Sequence, residues 1–140
     1  MSMLVHVGVR ASNLEETVRF WRDALGLEVF STMEGCYDLT DGYHNFRVFQ
    51  HSGPKRPPHV GGLLDYLHIG VRVPNVQEAA KRCRTLGFEI IWDGVESGKP
   101  TDSNTPSSGS FKVEDPDGIV VDVTASEAQW PGVELQEKGG

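Results

Sequence analysis

Two histidines occur in nearly identical surroundings, 62 residues apart. His6 lies in Val5-His6-Val7-Gly8-Val9-Arg10, and His68 lies in Leu67-His68-Ile69-Gly70-Val71-Arg72. Side chains alternate across a β-strand, so the histidine, glycine and arginine of each segment share one face and the aliphatic residues share the other. One such polar face would be typical of a solvated sheet surface. Its repetition favours a shared chemical site, with both histidines as candidate metal ligands.

A carboxylate near the end of the chain completes a candidate ligand set. In the strand-like run from Ile119 to Thr124, alternation turns Val121 and Val123 inward and Asp122 to the opposite face. Two imidazoles and one carboxylate on adjacent strands form a facial triad, suited to one divalent Fe, Mn, Zn or Ni ion. The alternative is a plain salt bridge between Asp122 and an arginine such as Arg47, because a buried charge needs a partner.

These residues belong to an internal repeat that predicts the elements around them. The offset of 62 that pairs the histidines also pairs Asn13 with Asn75 and Glu16 with Glu78. Further along, Leu-Gly at 25–26 matches Leu-Gly at 86–87 at an offset of 61. Such ordered matches indicate a duplicated unit with a one-residue slip at the end of its helix.

Each copy is predicted to be a βαβββ module. A strand (4–10; 66–73) precedes a helix that begins at the Asn of an Asn-x-x-Glu motif. The helices run to Ala24 and to Leu86, with a glycine just past each end. Three strands follow, at 27–32, 36–39 and 45–50 in the first copy and at 88–92, 110–113 and 119–124 in the second. The modules span 4–51 and 66–126, with a linker at 52–65 and a tail at 127–140. The irregular stretch 96–109 is either a lid or a plain surface loop.

The composition excludes several classes of protein. The 140 residues are 38% hydrophobic and 24% charged, which is ordinary for a globular domain. A net charge of −7 repels phosphate backbones, so we expect no nucleic-acid partner. The sequence shows neither a signal peptide nor a long apolar segment, which predicts a cytoplasmic protein without a membrane partner. Cys36 and Cys83 are interpreted as reduced thiols.

From Leu4 to Ser126 the chain resembles the vicinal oxygen chelate superfamily of glyoxalase I, fosfomycin- and bleomycin-resistance proteins and extradiol dioxygenases. The resemblance rests on the two His-x-Gly strands, the helix end 20–27, and Asp-Pro-Asp-Gly at 115–118 with an acid four residues on. It implies an α+β fold in which two βαβββ modules form a cup-shaped, partly open mixed β-sheet barrel with helices outside. It also implies a divalent metal in the cup, a small-molecule substrate bound through oxygens, and a homodimer.

Two positions depart from the pattern of that superfamily. Asp122 stands where the last ligand is usually Glu, and its shorter side chain implies a metal that is either closer to the strand or more weakly bound. At the fourth-ligand position of glyoxalases, the strand register selects Arg47, while Gln50 is a weaker candidate that a β-bulge would bring in. We expect Arg47, Arg10 and Arg72 to neutralise an anionic substrate.

Four functions are consistent with these residues. The first is a metal-dependent, glyoxalase-like lyase or isomerase in which Asp122 is the base. The second is an extradiol-type dioxygenase, against which Lys112 stands where those enzymes carry Tyr. The third is group transfer of the fosfomycin-resistance kind, whose substrate-side residues are not recognisable in the chain. The fourth is a non-catalytic small-molecule binding or resistance protein, a subgroup that generally lacks the histidine ligands.

Overall fold

The computed structural model describes residues 2–54, 68–95, 109–126 and 129–133, which form two four-stranded mixed sheets with helices on one face. The first module contains β1 (His6–Ala11), α1 (Leu14–Arg19), a π-helical turn (Phe20–Ala24), β2 (Glu28–Met33), β3 (Cys36–Thr40) and β4 (Asn45–Gln50). The second contains β5 (Ile69–Arg72), α2 (Val76–Thr85), β6 (Ile90–Asp93), β7 (Ser110–Glu114) and β8 (Val120–Thr124). The sheets are not closed, and the fold is the partly open cup of paired βαβββ modules expected above.

The two sheets repeat one another strand for strand. Their orders are β1-β4-β3-β2 and β5-β8-β7-β6, and the first strand of each pairs in parallel with the last. Each sheet also has a shift of register in its edge strand. The shift falls between Val29 and Ser31 in β2 and between Ile90 and Trp92 in β6. The predicted helix starts are present too: the side chains of Asn13 and Asn75 accept from the backbone amides of Glu16 and Glu78. The duplication is therefore visible at the level of register.

The one-residue slip of the repeat coincides with the π-helical turn. From Asn13 to Gly26 the first helix contains one residue more than the second has from Asn75 to Gly87. The backbone amide of Leu25 reaches back five residues, to Phe20 O at 3.2 Å, whereas Leu86 N bonds Arg82 O, four residues back, at 3.0 Å. A π-turn absorbs an extra residue without shifting the helix ends. The first helix was expected to run unbroken to Ala24, and the inserted residue is the physical reason that its last turn is widened.

The core lies between the helices and the inner faces of both sheets. Phe20, Trp21 and Leu39 of the first module are fully buried in one cluster with Phe111, Val121 and Val123 of the second. The outer half of β1 differs from expectation, because Val5 and Val7 were expected beneath the helix but are 56% and 42% exposed. Only the second half of this strand reaches the core, through Val9 and Ala11.

Side chains hold the two modules together around a tight turn. Asp117 accepts from Ser12 N at 2.9 Å and from Ser12 Oγ at 2.5 Å, while Gly118, at φ +86°, closes the Asp-Pro-Asp-Gly turn. On the helical side Phe20 packs edge-on against Phe88, with ring centroids 5.0 Å apart. The turn predicted at Asp117-Gly118 therefore also anchors the second module to the first.

Several predicted segments lie outside the described residues. They are most of the linker, all but Gly109 of the irregular stretch 96–109, and the tail beyond 133. The boundaries predicted for the two modules remain predictions. Within the described part of the chain, the helices are too short or too polar for any of them to cross a membrane.

Candidate functional site

The first sheet presents a polar row on the face opposite its helix. In the parallel pair β1–β4, His6 is level with Asn45, Gly8 with Arg47 and Arg10 with Phe49. In β3, Asp38 is level with Arg47. Because registered partners share a face, these side chains line the cup side of the sheet.

The register also decides between Arg47 and Gln50. Gln50 lies on the helix side, where its Oε1 accepts from Leu14 N at 2.9 Å and its Nε2 donates to Ser12 O at 2.7 Å. These bonds tie β4 to the start of α1. The irregularity of this sheet falls in β2 rather than in β4, so the cup-facing position belongs to Arg47.

The second sheet places a buried carboxylate at the centre of its cup face. Asp122 is only 6% exposed and lies level with Gly70 on β5 and Lys112 on β7. Its Oδ2 is 3.7 Å from His68 Nε2 and 3.5 Å from Lys112 Nζ. Its Oδ1 is buried and has no hydrogen-bond partner within the described ranges. A buried oxygen of this kind is a place where a ligand is to be expected.

The two modules carry opposite-charge pairs at equivalent positions with the signs exchanged. In the first sheet the cation is on β4 and the anion on β3: Arg47 Nε and Nη2 donate to the two oxygens of Asp38 at 2.6 and 2.9 Å. In the second the anion, Asp122, is on β8 and the cation, Lys112, is on β7. The salt bridge considered between Arg47 and Asp122 is not formed, because Asp38 holds the guanidinium. The residue of the second sheet at the position equivalent to Asp38 is Lys112, so no metal ligand occupies that position in the second sheet.

The predicted metal ligands are brought together only in part. His68 and Asp122 are neighbours, whereas His6 hydrogen-bonds through Nδ1 to Asn45 Oδ1 at 2.6 Å. Among the described residues no three histidine, cysteine or acidic side chains are gathered closely enough to hold an ion. His68 Nε2 and the unpartnered Asp122 Oδ1 are two atoms of the kind that bind a divalent metal, and a third ligand has to come from another part of the cup.

A cavity of about 720 Å³ lies along the open edge of β1, between the modules. This volume is in the range of small-molecule sites. Of the predicted site residues, Arg10 and His68 line it. The other lining residues are Val7, Gly8, Val9, Ala11, Ser12, Phe49, His51, Gly53 and Pro54 from the first module and Ile69, Asp117 and Ile119 from the second.

Comparison with known proteins fits this geometry. The sequence profile of the Glyoxalase/Bleomycin resistance protein/Dioxygenase superfamily matches residues 3–123. The chain belongs to this superfamily. No curated protein matches it significantly.

Solved structures of glyoxalase-superfamily proteins superpose over most of the chain. Glyoxalase I of Leishmania major, described as trypanothione-dependent, is 20% identical, with a TM-score of 0.62 over 88% of this chain and 86% of that one. The fosfomycin resistance protein FosX of Mesorhizobium loti is 13% identical, with a TM-score of 0.61 over 90% and 93%. A Bacillus halodurans protein assigned as a glyoxalase is 21% identical, with a TM-score of 0.65 over 86% and 93%. At sequence identities of 13–21%, the structural similarity establishes the fold alone. The superfamily to which the chain belongs includes enzymes.

The C-terminal segment covers part of the second cup face. A Cβ placed on Gly70 would lie 2.7 Å from Cη2 and 2.8 Å from Cζ2 of Trp130, so the indole rests directly on the glycine. At the equivalent Gly8 the nearest atom is His6 Nε2 at 3.5 Å. The two halves of this superfamily cup are therefore filled unequally, and the open cavity lies on the side of the first module.

Sequence reasoning missed the contacts that four residues make in the site. Asp38 and Asn45 bind Arg47 and His6, Lys112 approaches Asp122, and Trp130 covers Gly70. If the predicted strands β3 and β4 had been aligned with each other, their register would have placed Asp38 opposite Arg47. Nothing in the sequence places Trp130, because the tail lies outside the repeat.

Proposed function

We propose that this chain is a metal-dependent lyase or isomerase of the glyoxalase kind, acting on a small anionic substrate that carries a carbonyl. The observation that supports it is the cup-facing pair His68 and Asp122, whose Oδ1 is buried without a partner among the described residues. His68 and Asp122 would hold the ion, with His6 from the first sheet as third ligand. A bound divalent ion would supply Lewis acidity to the substrate carbonyl.

The protein side chains supply the remaining steps of the proposed reaction. Arg10 lines the cavity and would bind the anionic group of the substrate, with Arg47 and Arg72 as further cations of the cup face. The oxygen of Asp122 that does not hold the ion would accept the proton from the carbon next to the carbonyl and return it to the product. Lys112 competes for Oδ2 and has to move aside when the site is loaded.

Metal titration tests the ligand assignment. The wild-type chain, purified and stripped of metal, should bind one Ni²⁺, Mn²⁺, Zn²⁺ or Fe²⁺ per chain in calorimetry at neutral pH. His68→Ala and Asp122→Asn should abolish measurable binding, and His6→Ala should weaken it by about tenfold or more. The affinity should fall as the pH drops, because only neutral imidazole binds metal. His44→Ala is the matched control, since that exposed histidine pairs with Asp41 in the turn before β4. A wild-type chain that binds none of these ions contradicts the proposal.

Proton exchange tests the reaction class. Small 2-oxo acids and hydroxyketones incubated in D₂O with the metal-loaded chain should exchange the hydrogen next to the carbonyl, as seen by NMR. Asp122→Asn should lose this exchange, whereas His44→Ala should keep it.

A non-catalytic binding protein is the second candidate, and one observation favours it. Lys112 Nζ lies 3.5 Å from Asp122 Oδ2, so the carboxylate already has a cation beside it. Ligand binding in the absence of metal, without proton exchange, would support this candidate over the first.

A further inference from the structure

A chain of hydrogen bonds crosses the cup face of the first sheet and ends at His6. Ser31 Oγ on β2 donates to Asp38 Oδ2 on β3 at 3.0 Å, and Asn45 Nδ2 on β4 donates to Asp38 Oδ1 at 2.9 Å. Asn45 Oδ1 is then 2.6 Å from His6 Nδ1 on β1. All four strands of the sheet thus contribute one member.

The direction of this chain is fixed by Asp38. The residue is 6% exposed, and hydrogen bonds from Arg47 and Asn45 hold the pKa of its carboxyl well below the ordinary value. An ionised carboxylate can only accept hydrogen bonds. The amide group of Asn45 must therefore turn its NH₂ towards Asp38 and its carbonyl oxygen towards His6.

The protonation of the imidazole follows from the orientation of Asn45. A carbonyl oxygen 2.6 Å from Nδ1 requires a proton on that nitrogen. Neutral His6 is then the Nδ1–H tautomer, and the lone pair of the ring is on Nε2. Nε2 lies 3.5 Å from the Cβ position of Gly8, a residue that lines the cavity.

The second histidine of the cup has a different arrangement. His68 approaches Asp122 through Nε2 itself, at 3.7 Å. Ile69 is level with Val121, so the β8 residue level with His68 is Val120. The side chain of Val120 cannot accept a hydrogen bond from the imidazole as Asn45 does. The two repeat-related histidines thus differ in which nitrogen is engaged by the protein.

We propose that Asn45 and Asp38 are positioning residues that hold His6 as the Nδ1–H tautomer and turn its Nε2 lone pair towards Gly8, at the edge of the cavity. A hydrogen bond to the far nitrogen is the usual means of orienting a ligating or basic imidazole. Arg47 and Ser31 fix Asp38 in turn. The role of Nε2 as a metal ligand rests on the proposed function, whereas the tautomer is a property of the metal-free chain.

Nitrogen NMR of the ¹⁵N-histidine-labelled protein tests this inference directly. At a pH where the imidazoles are neutral and with chelator present, His6 should show a protonated Nδ1 and an unprotonated Nε2. Asn45→Ala should turn His6 to a mixture of tautomers and leave the signals of the other histidines unchanged. Asp38→Asn should do the same, because the new side chain lets the Asn45 amide rotate. A wild-type His6 protonated on Nε2 overturns the proposal.

The control is Thr40→Val, since Thr40 lies level with Asn45 on β3 but bonds His44 O instead. This variant should leave the His6 tautomer unchanged; a change as large as in Asn45→Ala would show a general distortion and overturn the assignment. Metal titration separates the two proposals. If the wild type binds metal, Asn45→Ala should weaken binding by about tenfold or more. If the expected tautomer is found but no metal binds, the proposed function fails and the positioning of His6 stands.

Discussion

The role of each residue on the cup face depends on the side chain with which it interacts. Arg47 was expected to contact an anionic substrate. Its Nε and Nη2 instead donate to Asp38 and thereby stabilise the chain of hydrogen bonds that ends at His6. Its side chain is still 37% exposed, so a role in substrate binding remains a prediction. Asp122 has the opposite character, since one of its oxygens is buried without a partner among the described residues. Unpaired acceptors of this kind are costly and are retained where a ligand completes them.

Asp115 gives a residue-scale prediction about pH. Burial raises its pKa to about 6, against the backbone hydrogen bonds from Ile119 and Asp117. Because the pKa of Asp115 in the folded state lies above the ordinary value of 3.8, the folded chain holds this proton more tightly than the unfolded chain does. The resulting stabilisation is complete below about pH 4 and is lost as the pH rises through 6. Asp115→Asn should remove this loss, which amounts to about 2–3 kcal/mol in the free energy of unfolding.

Urea unfolding at about pH 4 and about pH 8 measures this difference. Asp41→Asn is the matched control in the equivalent turn of the first module. The pKa of Asp41 is lowered, because hydrogen bonds from His44 and Tyr43 outweigh the effect of burial. The contribution of Asp41 to the free energy of unfolding is therefore lost as the pH falls, which is the direction opposite to that of Asp115. Equal pH dependence in wild type and Asp115→Asn would refute the prediction.

At the scale of elements, the repeat conserves register while tolerating an inserted residue. The π-helical turn widens α1 after Arg19, yet both helices end at a glycine with positive φ, at Gly26 and Gly87. The strands that follow keep the same pairing and the same irregularity. The cup face therefore stays aligned in both modules, because the extra residue is absorbed before β2 begins.

The contact between Trp130 and Gly70 gives an element-scale prediction. Gly70→Ala places a methyl group within 3 Å of the indole, so the C-terminal segment has to lift from β5. The free energy of unfolding should fall by about 1–3 kcal/mol, and the fluorescence of Trp130 should shift to longer wavelength. The signal is isolated by comparing each variant with the same variant carrying Trp130→Phe.

Gly8→Ala provides the matched control in the first module. Its added methyl would meet His6 Nε2 at 3.5 Å, an ordinary contact, so the tryptophan emission should not change. Identical spectra for Gly70→Ala and Gly8→Ala would mean that Trp130 does not rest on the second sheet in solution.

The whole molecule has an apolar surface along one open edge. β1 pairs with β4 on one side, and no described strand pairs with its other side. Near it, Met3 and Leu4 are 76% and 91% exposed, and Val5, Val7 and Phe49 are partly exposed. Unpaired edges with apolar side chains favour association.

We therefore expect a homodimer that covers the β1 edge, and light scattering at micromolar concentration should give twice the monomer mass. Leu4→Lys should shift the chain towards monomer without lowering the stability of the fold, because Leu4 is 91% exposed in one chain. Phe30→Lys is the control, since Phe30 is 80% exposed on β2, at the opposite edge of the sheet. A monomeric wild type would refute the prediction.

The sequence by itself determined the duplication, the order of the elements and the faces of the strands. Strand alternation is local, so the residues alone placed His6, Arg10, Arg47 and Asp122 towards the cup. Only the tertiary structure decided which of those residues meet. Asp38 captures Arg47, Asn45 binds His6, and Lys112 reaches Asp122, because these contacts depend on pairing between strands distant in sequence. The seating of Trp130 on Gly70 also required the folded chain, since no periodicity links the tail to the sheet it covers.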